Sequence, residues 1–123
     1  MARLLLIEDD HAVRGVLTKM LEGGGHEVTG AADGAAAFAL IEASTFDLAI
    51  VDILLPDVDG IQLLRELRLR KLPLKVIAIS GGGLGDAGEY LEMAALLGAA
   101  ETLQKPISAD DLLGAVARVL GTV

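Results

Sequence analysis

The side chains in this 123-residue chain that could do chemistry stand just past short apolar runs. Glu8, Asp9 and Asp10 follow Leu4-Leu5-Leu6-Ile7, Asp52 follows Leu48-Ala49-Ile50-Val51, Ser80 follows Val76-Ile77-Ala78-Ile79, and Lys105 precedes Pro106. Carboxylates brought close together repel and raise one another's pKa unless a cation neutralises them. A donor set of oxygens, without His or Cys, suits a hard ion. Mg²⁺ (or Mn²⁺) takes one or two carboxylates and keeps several waters. A Lys and a Ser facing that ion are placed to bind phosphoryl oxygens. An Asp beside both can itself be the nucleophile and become an aspartyl phosphate. In phosphoryl transfer the protein mainly positions groups and neutralises charge, and this set can do both.

Taken singly, each of these residues has a plainer use. Asp10 reads as a helix cap, because its carboxylate can accept the free amides of a helix start. Asp57 and Asp59 flank the Pro56 and Gly60 signals and read as turn residues. Ser80 alone is a strand-end hydroxyl, and Lys105 alone a surface amine. Asp57-Val58-Asp59-Gly60 with Glu66 mimics part of a calcium loop, but the first-ligand position is Leu55 and a strand precedes it. Gly81-Gly82-Gly83-Leu84-Gly85 fits neither the Walker spacing nor G-x-G-x-x-G and reads as a hinge or mobile loop. His11 and His26 have no ligand-like spacing and read as surface residues.

The elements that must bring the set together are legible in order. Leu4 to Ile7 is a buried strand, and Val13, Val16, Leu17, Met20 and Leu21 then fall at helical spacing until Gly23-Gly24-Gly25. A weaker strand spans about His26 to Gly30, and Asp33 caps a second helix with Ala37, Leu40 and Ile41 inward. The run ending at Val51 is a strand with both faces buried. Ile61, Leu64 and Leu67 mark a third helix, closed before Pro73. Val76 to Ile79 is the fourth strand. A helix uses Tyr90, Met93, Ala94 and Leu97, a poor strand lies near Ala100 to Leu103, and Ser108 opens a last helix with Leu112, Leu113, Val116 and Leu120. Strands and helices alternate five times, which requires right-handed crossovers and a parallel sheet covered on both faces. Ligands of such sheets bind outside the carboxyl ends of the strands, which is where the acids, Ser80 and Lys105 stand.

Composition narrows the function further. Hydrophobic residues make up 53% and aromatic residues 2%, so the core must be aliphatic. A net charge of −8 argues against nucleic-acid binding, which needs a basic face. The cluster Arg65, Arg68, Arg70 and Lys71 reads as the solvated face of one helix. No apolar run approaches the roughly 18 residues of a membrane helix, and the amino terminus offers only Leu4 to Ile7 before the acids begin, short of the roughly 7–15 of a signal peptide. Without cysteine there is neither a disulfide framework nor a thiolate metal site. A cytoplasmic protein without nucleic-acid or membrane partners is the expectation.

The set Glu8-Asp9, Asp52, Ser80 and Lys105-Pro106, on a chain of five β/α repeats, resembles the receiver domain of two-component response regulators. The motifs are Ile7-Glu8-Asp9-Asp10, Val51-Asp52 running to Pro56 and Asp59-Gly60, Ile79-Ser80-Gly81, and Lys105-Pro106. The resemblance covers the whole chain. It implies a flavodoxin-like (βα)5 doubly wound sheet of order 2-1-3-4-5, as one receiver domain over 1–123. No output domain is expected, since only Gly121-Thr122-Val123 follow the last helix. It further implies that Asp52 is the phosphoacceptor, served by a sensor histidine kinase or a histidine phosphotransfer protein. Asp9, Asp52 and the Leu54 backbone carbonyl would ligate Mg²⁺, with Glu8 acting through a water. Lys105 would pair with the phosphoryl group, Ser80 would bond to it after a loop shift, and Gly81 would offer space and a backbone amide. The Lys105-Pro106 bond would be cis.

Two departures from that family's pattern stand out. The aromatic that commonly sits three residues before the lysine is Thr102 here, so the signal must travel from Ser80 through the loop and the helix after it. Leu54 and Gly82 cannot orient an attacking water, which predicts slow self-dephosphorylation. The chain is expected to act as a signalling phosphoacceptor rather than a turnover enzyme, with a phosphodonor helix docking on an apolar rim of Val13, Leu55 and Pro106. The helix with Glu89 and Glu92 lacks Lys and Arg, which argues against a dimer held by reciprocal salt bridges there. The alternative is a degenerate receiver kept as a constitutive interaction module, and a flavin-binding reading fails for want of aromatic residues to stack the ring.

Overall fold

Three aliphatic runs and two weaker ones form the strands, and their alternation decides which helix covers which face. The computed structural model describes residues 2–53, 60–71, 74–81, 92, 94–96 and 98–121. Its elements are β1 (Arg3–Ile7), α1 (His11–Gly23), β2 (Glu27–Ala31), α2 (Gly34–Ala43), β3 (Leu48–Asp52), α3 (Gly60–Leu69), β4 (Lys75–Ser80), β5 (Glu101–Gln104) and α4 (Ala109–Leu120). Residues 92 and 94–96, between β4 and β5, are also helical. Tyr90, Met93 and Leu97 of the helix expected there lie outside the described residues, as do Leu54 to Asp59 and Gly82 to Glu89. All strands are parallel, in the order β2-β1-β3-β4-β5.

Side chains alternate across a strand, so each buried run supplies two layers. Leu4, Leu6, Leu48, Ile50, Ile77 and Ile79 pack under Leu17 and Leu21 of α1 and Leu112, Ala115 and Val116 of α4. Leu5, Ile7, Ala49, Val51, Val76 and Ala78 pack on the other face with Ala37 of α2 and Leu63, Leu64 and Leu67 of α3. Full burial of each large aliphatic is worth about 1.5–3 kcal/mol, so these layers fix the register in which the strand ends align.

The helix starts are set by short polar side chains. Asp10 accepts from the amides of Ala12 and Val13, Asp33 from Ala36, and Ser108 from Asp111. Gly24 caps α1 and Gly25 takes a positive φ of 89° beyond it. The His26 amide donates to the Leu21 carbonyl in that turn, so β2 begins at Glu27. Arg65, Arg68, Arg70 and Lys71 are exposed, as expected of a solvated face. One expectation fails: Val16 is 53% exposed rather than facing the core. Leu17 and Leu21 fill the space over the sheet, and Val16 turns toward the rim beside Pro106.

Candidate functional site

The acids and the lysine meet where β1, β3, β4 and β5 end. In register, Ile7 lies beside Val51, Asp52 beside Ile79, and Ser80 beside Gln104. Two further backbone bonds extend the sheet past its last residues. The Lys105 amide donates to the Ser80 carbonyl at 2.8 Å, and the Ile53 amide to the Ile79 carbonyl at 3.1 Å. The ladder bonding therefore continues one residue past β3 and β5.

Glu8, Asp52 and Ser80 are the buried polar residues among those described, and Asp52 keeps only 4% of its surface. Burying a carboxylate is costly without a partner. The Lys105 ammonium supplies one, donating to Asp52 Oδ2 at 3.0 Å and closely to Glu8 Oε1. Lys105 approaches from β5 across Gly81, where a Cβ would stand 3.3 Å from the lysine Cδ. Gly81 thus clears the path of the lysine stem. The Ser80 hydroxyl donates to the Gly81 carbonyl at 3.2 Å. The Lys105-Pro106 bond is cis.

One lysine does not balance the acids around it. Burial, together with the neighbouring Asp52, pushes the Glu8 carboxyl up to about 7 against the opposing pull of Lys105. Lys105 is itself raised: burial opposes its charge, but bonds to Glu8 and Asp52 outweigh that cost. Glu8, Asp9 and Asp52 each offer a carboxylate oxygen, all within 4.8 Å of one another. Three hard oxygens at that spacing, with surplus negative charge, fit a divalent ion of the Mg²⁺ type.

Glu8, Asp9, Asp52, Ser80, Gly81 and Lys105 are gathered at one rim, while Leu54 lies outside the described residues. Thr102 is half-buried in β5 beside Ala78, two positions short of Gln104. Arg14 joins the site without having been evident from its type alone. Its Nη1 donates to the Glu8 carbonyl at 2.8 Å. The available signal was position: an arginine in the first turn of the helix that leaves β1 can reach back to the strand exit.

A family model described as "Response regulator receiver domain" matches residues 4–117. The chain belongs to that family. Receivers are the phosphoacceptor modules of two-component response regulators; they generally bind Mg²⁺ at an acidic cluster and work with histidine kinases or phosphotransfer proteins. The receiver is 39% identical over 118 residues to the response regulator protein FleR of Pseudomonas aeruginosa, covering 95% of this chain but 24% of FleR. It thus spans about a quarter of that relative's length. The receiver domain of the Francisella response regulator 1452 superposes with a TM-score of 0.89 at 29% identity, over 99% of this chain and 98% of that one. The response regulator TrrA of Thermotoga maritima, solved in complex with Mg²⁺-BeF, superposes with a TM-score of 0.84 at 25% identity, over 97% of this receiver and 99% of TrrA. The sheet order 2-1-3-4-5 is the one expected of the family. Among the described residues no helix is long and apolar enough to cross a membrane.

Proposed function

We propose that Asp52 is the phosphoacceptor of this receiver, taking a phosphoryl group from a phosphohistidine on a histidine kinase or phosphotransfer protein. The observation that carries the reading is the pairing of a nearly buried Asp52 with Lys105 inside an acid cluster. In the transfer, a carboxylate oxygen of Asp52 forms a bond to phosphorus. The phosphorus–nitrogen bond breaks, and the imidazole leaves with its electron pair. Lys105 can shift from the carboxylates onto a phosphoryl oxygen without leaving the rim. Ser80 and the Gly81 amide bind the other oxygens of the acyl phosphate.

Glu8, Asp9 and Asp52 would hold Mg²⁺, with Glu8 acting through water and the Leu54 carbonyl as a further ligand. The ion would supply positive charge against the phosphoryl oxygens. Thr102 replaces the usual aromatic, so the phosphorylated state alters partner binding through Ser80 and the loop after it.

The phosphodonor protein docks beside the acceptor. A cavity of about 470 Å³ is lined by Ala12, Val13, Val16, Leu17, Lys105, Pro106 and Ile107. Val13 and Pro106, two parts of the expected apolar rim, share it; Leu55 lies outside the described residues. An apolar helix face seated there would reach Asp52 past Lys105.

Beryllofluoride, a phosphoryl mimic, tests the assignment. With Mg²⁺ it should raise the thermal stability of the wild type and leave Asp52→Asn unchanged. Equal stabilisation of both, or of neither, would overturn it.

A further inference from the structure

The carboxylate of Asp9 is exposed and, among the described residues, makes no hydrogen bond or ion pair of its own. Its position must come from the backbone. The carbonyl of Glu8 and the amide of Asp9 belong to one rigid peptide plane, so whatever holds that carbonyl also sets where the Asp9 side chain begins. The carbonyl accepts from Arg14 Nη1 at 2.8 Å. On the other side of the same residue, the Glu8 amide donates to the Ala31 carbonyl at 3.0 Å. Arg14 Nη2 donates to His11 Nδ1 at 3.1 Å, which leaves the guanidinium little freedom to turn.

The stem of Arg14 has a prepared bed. It crosses Gly30 of β2, where a Cβ would stand 3.2 Å from the arginine Cδ. A side chain there would push the stem aside. Residue 30 is therefore coupled to the acid cluster through Arg14.

We propose that Arg14 is a positioning residue for the Mg²⁺ site: it fixes the Glu8–Asp9 peptide plane so that Asp9 faces Asp52, and Gly30 makes room for it to do so. The inference rests on the phosphoacceptor reading above. Its signature has a distinctive sign. Loss of a positive charge near the site would by itself tighten Mg²⁺ binding, whereas loss of the grip on the peptide plane weakens it.

Calorimetric titration of the unphosphorylated protein with MgCl₂, alongside thermal unfolding, tests this on Arg14→Met, Arg14→Lys, Gly30→Ala and the double variant Gly30→Ala/Arg14→Met. Groups that orient metal ligands are typically worth 10–100-fold in affinity, and about tenfold weaker binding is expected for Arg14→Met. Lysine can still donate one bond to the carbonyl, so Arg14→Lys should recover most of that loss. Gly30→Ala should weaken binding about threefold alone and not at all on the Arg14→Met background, since coupled residues are non-additive. Unchanged or tighter Mg²⁺ binding in Arg14→Met overturns the proposal. If that variant does not fold, wild-type affinity in Gly30→Ala overturns it. A wild type that binds no Mg²⁺ overturns the phosphoacceptor reading as well, which separates the two failures.

Discussion

Replacing Lys105 by methionine, which keeps the stem and removes the charge, should expose how the acid cluster is held together. The lysine is the cation bonded to both Glu8 and Asp52, whose side chains are 0% and 6% exposed, while its own is 22% exposed. Removing one partner of a fully buried ion pair costs about 3–5 kcal/mol. Water reaches part of the lysine, so about 2–3 kcal/mol is expected here at about pH 8 without Mg²⁺. For a domain of this size that lowers the melting temperature by about 8–12 °C.

The loss should depend on pH in a definite direction. Glu8 has a folded pKa near 7 against an ordinary 4.5, so between those values the folded state binds more protons than the unfolded. At about pH 5.5 Glu8 is protonated in the fold, and the lysine then compensates Asp52 alone. The cost of Lys105→Met should fall to about 1 kcal/mol, or about 4 °C, under those conditions. Lys105, whose own pKa is raised, remains charged throughout this range, so its titration does not enter. Mg²⁺ at the higher pH should restore part of the variant's stability. Thermal unfolding followed by circular dichroism at the two pH values, with and without Mg²⁺, is the assay. Equal losses at both pH values, or no loss at the higher one, would refute this electrostatic reasoning.

Other outcomes follow from the same geometry. The raised Glu8 pKa means that wild-type stability in Mg²⁺-free buffer declines as pH rises from about 4.5 to 7, by up to about 3 kcal/mol, measurable by urea unfolding. Asp52→Asn removes two of the influences that raise Glu8, so the Glu8 carboxyl resonance should titrate at lower pH than in the wild type. Val16→Glu, at an exposed position, should change stability by less than about 0.5 kcal/mol. It should slow phosphotransfer from a phosphohistidine protein while leaving the rate with acetyl phosphate unchanged. The aspartyl phosphate should persist well beyond a few seconds in the purified protein, measured by loss of phosphoryl mass over time.

The strands and the residues at their exits were legible because parallel strands buried on both faces read as unbroken aliphatic runs, and a carboxylate after such a run is conspicuous. Asp10, Asp33 and Ser108 announced their helices through a chemistry that acts within three residues. What stayed hidden depends on contacts between distant segments. Val16 fits the helical stripe of α1, yet Leu17 and Leu21 suffice to cover the sheet and leave it outside. The complete burial of Glu8 and its contact with Lys105 join residues 97 positions apart. Arg14 showed nothing in its type, since an arginine in a first helical turn is ordinarily solvated. Gly30 and Gly81 look like turn glycines, but each clears space for the stem of a long cation, a purpose visible only once the partners are in place.

The central claim is that Asp52 receives phosphoryl, and intact-mass spectrometry tests it most directly. The protein and Asp52→Asn are incubated with acetyl phosphate in the presence of Mg²⁺ or of EDTA, and the adduct is mapped to a peptide. One phosphoryl mass on the peptide containing Asp52, in the wild type with Mg²⁺ alone, is the predicted result. No adduct in the wild type, or an equal adduct in Asp52→Asn, would contradict it.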